Sequence, residues 1–384
     1  MKQSEELTIF SGQFSLERLP KIQKNKLRAW DAADELILTY LHEQKLLSNL
    51  INPVLLVNDA FGALAIALHE IERHSWSDSL LSHQATTENL QRNNIQAENY
   101  QPVQSIDPLP ATYDLVLIKI PKTLALLEYQ LSQLKPHISV NTTIIAAGMS
   151  KHIHTSTLNY FEKIIGATTT SLATKKARLI YSQHNQQAAA KIGYPKTIID
   201  EALDLQLSNH ANVFSKDSLD IGARFMIEQM QQYLPEQRNC QHIIDLGCGN
   251  GVLGIIAKRL QPQAHISFID ESYMAIDSAK TNFNQNIQSD QNRSDASFLT
   301  NDCLEKWNNK ADLILCNPPF HQAHSIGDQI AWKMFRQSKD QLNKGGELWI
   351  IGNRHLAYHS KLKRLFGNCQ TLASNKKFVV LKAY

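Results

Sequence analysis

The chain has 384 residues, of which 43% are hydrophobic and 20% charged, and its formal net charge is +3. This composition excludes a disordered chain, and the length suffices for two or three domains of roughly 100 to 200 residues each. The sequence has no long apolar run, no apolar signal segment at its start and no zinc-ligand spacing of cysteines, so we expect a soluble, cytoplasmic protein without a membrane or metal partner.

The first half reads as alternating helices and strands. Apolar residues recur at helical spacing between 21 and 50, which predicts an amphipathic helix. The segment PVLLVNDAFGALAIAL (53–68) then predicts a strand, a turn of small residues and an apolar helix. A further buried strand is predicted in YDLVLIKIPK (113–122). Strands that alternate with helices are typical of a parallel sheet with crossover helices.

The second half repeats the pattern of the first half in the same order. Four collinear pairs match: 53–68 with 242–257, 113–122 with 311–320, 142–154 with 346–358, and SLATKKARLIY with TLASNKKFVVL. Such order favours an internal duplication. We therefore predict an α/β protein of two tandem doubly wound Rossmann-like domains with parallel sheets, at 1–183 and 200–384, joined by a polar linker at 184–199.

A glycine loop, DLGCGNG (245–251), follows the first strand of the second half. Gly247, Gly249 and Gly251 remove side chains where the backbone approaches a ligand at the carboxyl end of a parallel strand. The loop is not the GxGxxG pyrophosphate fingerprint, because Asp245 lies two residues before the first glycine and would repel phosphate. A cationic ligand is therefore predicted.

Polar side chains also follow the next two predicted strands. Asp270 ends the strand at 265–270 and can accept hydrogen bonds from both hydroxyls of a ribose. Asn301 and Asp302 follow the third strand and suit the amino group of adenine. Three such positions in this order favour a ligand site over isolated surface carboxylates.

The fourth strand (311–316) ends in Asn317-Pro318-Pro319-Phe320. The two prolines fix φ and remove two donors, so the backbone carbonyls at this corner are free to accept. The Asn317 oxygen and the Pro318 carbonyl can accept hydrogens from one planar amine, while Phe320 offers a stacking face. These three residues are the predicted catalytic group, acting by positioning the amine rather than by a base.

With these motifs the sequence resembles the class I S-adenosylmethionine-dependent methyltransferases, and within them the ribosomal RNA guanine-N2 methyltransferases of the RlmG/RsmC type. The resemblance covers essentially the whole chain, including the segment NVFSKDSLDIGARF (212–225), which in this family helps to cover the cofactor. It implies that S-adenosylmethionine is bound by Asp245, Gly247, Gly249, Gly251, Asp270, Asn301, Asp302, Asp220 and Gly222. It also implies that Asn317, Pro318 and Phe320 hold the guanine.

The chain length and segment 212–225 look closest to the family member that acts on large-subunit (23S) rRNA. The resemblance therefore implies a methyltransferase whose partner is ribosomal RNA and whose target is the N2 amine of a guanine in 23S rRNA. Three alternatives stay open: a guanine of 16S rRNA, another planar amine such as adenine N6 or a protein glutamine, and a non-catalytic RNA-binding assembly factor.

The first half departs from these motifs. Its loop, LVNDAFG (56–62), keeps one aligned glycine, Gly62, and Lys119-Ile120-Pro121-Lys122 stands where the second half has the Asn-Pro-Pro-Phe corner. Leu80 aligns with Asp270. We predict that this domain is degenerate, binds no cofactor, and holds RNA or supports its partner. Its candidate phosphate contacts are Lys21, Lys24, Lys26 and Arg28.

Overall fold

The structure is a computed structural model that describes residues 5–21, 27–186, 193–234, 240–287, 295–319 and 325–384. The chain divides into two compact units, Met1–Tyr194 and Pro195–Tyr384. Each unit contains one seven-stranded sheet and one separate two-stranded hairpin.

The first unit contains nine described strands and five described α-helices. The strands are β1 (Glu5–Ile9), β2 (Gly12–Leu16), β3 (Val54–Val57), β4 (Arg73–Ser77), β5 (Tyr100–Gln104), β6 (Leu115–Lys119), β7 (Thr143–Met149), β8 (Thr168–Thr170) and β9 (Ala177–Ser182). The helices are α1 (Ala32–Glu43), α2 (Ala63–Ala67), α3 (Leu80–Arg92), α4 (Leu124–Leu134) and α5 (Thr155–Ile164), with short 3-10 turns at Lys135–His137 and Ser150–His152. Its sheet has the order β5-β4-β3-β6-β7-β9-β8.

The second unit has the same number of described strands and α-helices. The strands are β10 (Lys196–Asp200), β11 (Leu205–Asn209), β12 (His242–Leu246), β13 (His265–Asp270), β14 (Ala296–Thr300), β15 (Ala311–Cys316), β16 (Leu342–Asn353), β17 (Gln370–Ser374) and β18 (Phe378–Ala383). The helices are α6 (Ile221–Tyr233), α7 (Val252–Leu260), α8 (Tyr273–Asn286), α9 (Ser325–Gln341) and α10 (Tyr358–Phe366), with a 3-10 turn at Arg354–Leu356. Its sheet has the order β14-β13-β12-β15-β16-β18-β17.

Counted from the first strand of each sheet, both units have the spatial order 3-2-1-4-5-7-6. This identity of order confirms the predicted pair of Rossmann-like domains. The sheets are mixed rather than wholly parallel, because β9 and β18 run antiparallel to both of their neighbours. The connection between β17 and β18 is too short for a crossover, so these two strands pair as a hairpin.

Both faces of the second sheet are covered by helices. Neighbouring residues Ile243 and Ile244 of β12 point to opposite faces, and both are fully buried. Ile243 packs in a core formed with α6, α7 and α8, whereas Ile244 packs in a core formed with α9 and α10. Because such strands are buried on both faces, nearly all of their residues are apolar, and these apolar runs predict the strands from the sequence.

Two predicted boundaries differ from the structure. The amphipathic segment 21–50 forms a shorter helix, α1, which begins after the capping residue Asp31 and ends before Lys45, whose φ is +53°. A left-handed residue ends a right-handed helix. The predicted linker 184–199 runs into β10, which begins at Lys196 and pairs with β11.

The alignment of Leu80 with Asp270 is wrong. Trp76 pairs with Val57 in the first unit as Ile269 pairs with Leu246 in the second, so Ser77 is the residue that corresponds to Asp270. Leu80 is the first residue of α3. The match failed because the connection between the first two strands of the sheet is shorter in the first unit, so the spacing of the second unit, carried over to the first, runs past the end of β4.

No helix in the described part of the chain is long and apolar enough to cross a membrane. The same described residues contain no cluster of three or more His, Cys, Asp or Glu side chains that could hold a metal ion.

Candidate active site

The predicted site residues of the second unit meet at one edge of its sheet. Strand β12 pairs in parallel with both β13 and β15, so the carboxyl ends of these three strands lie side by side, and β14 adds a fourth beyond β13. Strands β13 and β15 lie on opposite sides of β12, and from there the strand order continues outward to β14 on one side and to β16 on the other. Ligands of open α/β sheets bind in the crevice at such a point.

The three glycines of the loop after β12 have different surroundings. All have positive φ, between +54° and +79°. A Cβ atom on Gly247 would lie 3.0 Å from the methyl of Met334, and one on Gly251 would lie 2.9 Å from Ala279, whereas a Cβ on Gly249 meets no described atom within 4 Å. Gly247 and Gly251 therefore serve turn geometry and packing, and Gly249 leaves open space for a ligand.

Asp245 lies behind this loop. Its side chain is 1% exposed, and its Oδ2 accepts a hydrogen bond of 2.8 Å from the backbone N–H of Gly254 in the first turn of α7. Burial raises the pKa of Asp245 to about 8, and the nearby charge of Asp270 acts in the same direction. The carboxyl thus anchors the helix beneath the loop, and a cationic ligand above it would favour its ionised form.

Gly254 was missed by sequence reasoning. A Cβ atom there would overlap the ring of Phe268, so only glycine allows α7 to approach β13 this closely. The available signal was a glycine inside an otherwise apolar helix, a position that usually has a packing reason.

Asp270 joins the loop to the following helix. Its Oδ2 accepts a hydrogen bond of 3.0 Å from the N–H of Gly249, and its Oδ1 accepts one of 3.0 Å from the N–H of Ser272, the capping residue of α8. The carboxylate is therefore held in a fixed orientation beside the open space over Gly249. This placement is compatible with its predicted role towards a ribose, which stays a prediction.

The two residues after β14 differ in how their side chains are used. The amide of Asn301 donates to the backbone carbonyls of Cys303 and Glu305 and so stabilises its own loop. Asp302 accepts a hydrogen bond of 2.6 Å from Lys333, which also pairs with Glu305 at 2.7 Å. Both side chains are thus engaged within the protein, and their predicted role towards an adenine amino group stays a prediction.

Lys333 was also missed, because α9 is separated from β14 by a full strand and no local pattern links them. Burial by itself lowers the pKa of Lys333, but its hydrogen bonds to Asp302 and Glu305 raise it overall. The charged ammonium therefore ties α9 to the loop that follows β14.

The corner after β15 presents one acceptor without a partner. Asn317 is half-buried and Pro318 is buried. The Nδ2 of Asn317 donates to Oδ2 of Asp220 over 3.4 Å, while its buried Oδ1 has no hydrogen-bond partner among the described residues. Phe320 lies outside the described residues, so its stacking role stays a prediction.

Asp220 and Gly222 lie next to this corner. Asp220 caps α6 by accepting a hydrogen bond of 2.8 Å from the N–H of Ala223. A Cβ atom on Gly222 would lie 2.9 Å from Oδ2 of Asp220 and 3.3 Å from the ring of Phe378. Both residues were predicted to bind the cofactor; in the structure Asp220 contacts Asn317 and Gly222 packs against Asp220 and Phe378, and the cofactor role stays a prediction.

The residues present fit S-adenosylmethionine, the cofactor that the resemblance implies. The space over Gly249 suits close approach of a ligand, the fixed carboxylate of Asp270 suits its ribose, and Asp302 suits its adenine. Asp245 adds a buried acid beneath a group that carries positive charge.

The corresponding edge of the first sheet is occupied by its own side chains. Lys119 lies at the end of β6, where Asn317 follows β15, and its ammonium pairs with Asp31 at 2.8 Å and with Asp34 at 2.7 Å. Asp59 accepts a hydrogen bond of 2.8 Å from Ala65 N–H, much as Asp245 accepts one in α7. The first unit therefore also has a carboxylate that accepts from the first turn of the helix after the loop, although Asp59 does not align with Asp245 in the sequence.

Two of the four predicted phosphate contacts of the first unit are engaged with acids. Lys21 pairs with Glu88 at 3.0 Å, and Arg28 pairs with Glu35 at 3.0 Å. Lys24 and Lys26 lie outside the described residues, so the predicted basic patch stays a prediction.

Comparison with known proteins gives matches over both units. A family model described as the RLMG N-terminal domain matches residues 4–186, and one described as the methyltransferase small domain matches residues 204–382. The chain is 49% identical over 378 residues to the ribosomal RNA large subunit methyltransferase G of Pseudoalteromonas translucida, covering 96% of this chain and 95% of that protein. It is 46% identical over 380 residues to the protein of the same name from Erwinia tasmaniensis, covering 98% of each.

Among solved structures, the chain is similar to the 16S rRNA N2 methyltransferase RsmC of T. thermophilus in complex with AdoMet and guanosine. The TM-score is 0.74, the sequence identity is 19%, and the match covers 99% of this chain and 97% of that one. At this identity the likeness concerns the fold.

Proposed function

Since the chain belongs to the family of the ribosomal RNA large subunit methyltransferase G proteins, we propose that it methylates the exocyclic N2 amine of a guanine in large-subunit (23S) rRNA. S-adenosylmethionine is the methyl donor. When bound, it would supply an electrophilic methyl group on a sulfonium and would be left as the neutral thioether, while the methylated nitrogen would release one proton to water. The protein's own contribution is to hold donor and acceptor in line.

The unpartnered Oδ1 of Asn317 is the observation that carries the proposal. A buried acceptor without a hydrogen bond costs free energy, so it is suited to receive a donor from a ligand. The N2 group of guanine has two hydrogens in one plane. Asn317 Oδ1 and the Pro318 carbonyl would each accept one of them, which draws the nitrogen lone pair out of conjugation with the ring and aims it at the methyl group.

The remaining site residues would hold the cofactor. Asp270 would accept from the ribose hydroxyls and Asp302 from the adenine amino group, while the open space over Gly249 would admit the rest of the molecule. We assign the first unit to RNA holding or to support of the second. The ion pairs of Lys119 with Asp31 and Asp34 support the absence of a cofactor site in the first unit, because they occupy the edge of its sheet that corresponds to the candidate site of the second.

The test is nucleoside mass spectrometry of rRNA from a deletion strain complemented with the wild-type chain or with Asn317→Ala. We expect one N2-methylguanine to be missing from 23S rRNA of the deletion strain and restored by the wild type. In vitro, Asn317→Ala should cut turnover at least ~100-fold, the scale for losing one preorganised hydrogen-bonding group, with nearly unchanged cofactor affinity by calorimetry.

Other results would redirect the proposal. If the deletion strain instead lacks a methyl group on 16S rRNA, on adenine N6 or on a protein glutamine, the substrate is that group and not a guanine of 23S rRNA. No missing methyl group anywhere, together with defective subunit assembly, would support a non-catalytic assembly factor.

A further inference from the structure

We propose that Asp220 is a positioning residue for the acceptor amine and that it acts through Asn317. The inference rests on the proposed function, since it concerns the amine that Asn317 would hold. It differs from the predicted role of Asp220, which was to bind the cofactor.

The Asp220 carboxylate determines which way the Asn317 amide faces. An amide has a donor end, Nδ2, and an acceptor end, Oδ1, whereas an ionised carboxylate only accepts. Asp220 Oδ2 lies 3.4 Å from Nδ2 of Asn317. Turning the amide over would bring two oxygens together and lose this hydrogen bond. The carboxylate therefore keeps Nδ2 towards α6 and leaves Oδ1 as the end that a ligand amine would contact.

The orientation of Asn317 decides what the corner can bind. With Oδ1 facing the ligand, the corner offers an acceptor and suits an amine with two N–H donors. With Nδ2 facing the ligand, it would offer a donor and would suit a carbonyl instead. The buried, unpartnered state of Oδ1 is consistent with the first arrangement.

Asp220 is itself fixed by the start of α6. The same oxygen, Oδ2, accepts a hydrogen bond of 2.8 Å from the N–H of Ala223. Gly222 permits this geometry, because a Cβ atom at that position would lie 2.9 Å from Oδ2 and would displace the carboxylate. The capping hydrogen bond and Gly222 together hold Oδ2 of Asp220 in a fixed position beside Asn317.

The first unit provides an internal comparison. Asp31 caps α1 as Asp220 caps α6, and it contacts Lys119, the residue that corresponds to Asn317. The contact between the helix cap and the end of the fourth strand is therefore present in both units. In the first unit its partner is an ammonium group, which has no acceptor to offer an amine. In the second unit the cap contacts the amide of Asn317, whose acceptor end, Oδ1, has no hydrogen-bond partner among the described residues.

The test uses the full-length chain and five variants. Asp220→Ser keeps an oxygen that can cap α6 but is too short to reach Asn317, whereas Asp220→Asn keeps both the length and an acceptor oxygen. Asn317→Ala and the double variant Asp220→Ser/Asn317→Ala complete a double-mutant cycle. Ser79→Ala is the matched control, because Ser79 caps α3 in the first unit by accepting from Ser82 N–H, and this variant removes a cap without touching the corner.

We expect Asp220→Ser to lower kcat at saturating cofactor and RNA by about 10-fold to 100-fold while the cofactor Kd stays within about 3-fold. Asp220→Asn should recover most of the loss. Because Asp220 acts through Asn317, Asp220→Ser should change kcat by less than about 2-fold in the Asn317→Ala background. Ser79→Ala should leave kcat unchanged.

A second readout does not depend on activity. In 15N-asparagine-labelled protein, the side-chain amide peak of Asn317, assigned by its loss in Asn317→Ala, should shift in Asp220→Ser and stay in place in Ser79→Ala. An unmoved peak, equal losses of kcat in both backgrounds, or a loss confined to cofactor affinity would each overturn the positioning role. If the methylated product is another base, the proposed function fails, while the amide peak and the coupling still test Asp220.

Discussion

At the scale of single residues, one buried carboxyl couples the second unit to pH. Burial raises the pKa of Asp245 from 3.8 to about 8 in the folded chain. The folded state therefore binds this proton more tightly than the unfolded state does. The contribution of Asp245 to stability is complete below about pH 4 and is lost as the pH rises through about 8.

We predict that the unfolding temperature of the second unit falls between pH 5 and pH 8 more steeply in the wild type than in Asp245→Asn, which cannot titrate. Scanning calorimetry of the full chain measures this difference. The transition of the second unit is recognised by its rise when S-adenosylmethionine is added. Identical pH dependence in both proteins would show that the buried carboxyl does not control stability in this range.

Also at this scale, similar residues in one motif have different tasks. Gly247 and Gly251 pack against Met334 and Ala279, whereas Gly249 faces open space. A larger side chain at Gly249 is therefore expected to obstruct the ligand, and one at Gly251 to disturb the packing of the loop on α8.

At the scale of elements, an ion pair links α1 to β6 in the first unit. Lys119 and Asp34 are both largely buried, at 14% and 8% side-chain exposure, and lie 2.7 Å apart. Burial alone lowers the pKa of Lys119, but the charges of Asp34 and Asp31 raise it overall. The ammonium therefore stays charged, and its removal would leave Asp34 buried without its cation.

We predict that Lys119→Met destabilises the chain by roughly 3 kcal/mol, the scale for breaking a buried ion pair. Urea unfolding of the full chain measures the loss. Lys122→Met is the matched control, because Lys122 lies in the loop that follows the same strand and is exposed, and we expect a change within about 0.5 kcal/mol. If both variants unfold alike, the ion pair contributes no net stability.

At the scale of the whole molecule, the two units share one strand order but differ in the side chains at the carboxyl end of their parallel strands. The second unit offers an open glycine loop and an unpartnered acceptor, whereas the first has Lys119 paired with two acids at the same edge. The fold was duplicated, and the ligand site is expected in one copy.

We predict that calorimetric titration of the full chain gives one S-adenosylmethionine site per molecule. Asp270→Ala should weaken this binding, because it removes the carboxylate that Gly249 and Ser272 hold in place. Ser77→Ala, the change at the corresponding position of the first unit, should leave it unaltered. Two sites per chain, or equal effects of both variants, would contradict the assignment of the first unit as degenerate.

The sequence by itself determined the two units, the order of their elements and the edge at which the candidate site residues meet. Strands such as β12 and β15 are buried on both faces and read as short apolar runs, and glycines and prolines mark where they end. Because parallel strands end at one edge, polar residues after four strands had to meet there. These signals are local along the chain, so they can be recognised from the sequence alone.

Only the tertiary structure decided which side chains pair across that edge. Asn317 contacts Asp220 at a separation of 97 residues, and Lys119 contacts Asp31 at 88. Lys333 reaches Asp302 from a helix beyond the next strand. Hydrophobic periodicity encodes which face of an element is buried, but not the register or rotamer that brings two polar atoms within hydrogen-bonding distance. That choice depends on the folded path of the backbone, which is why the orientation of Asn317 emerged only from the fold.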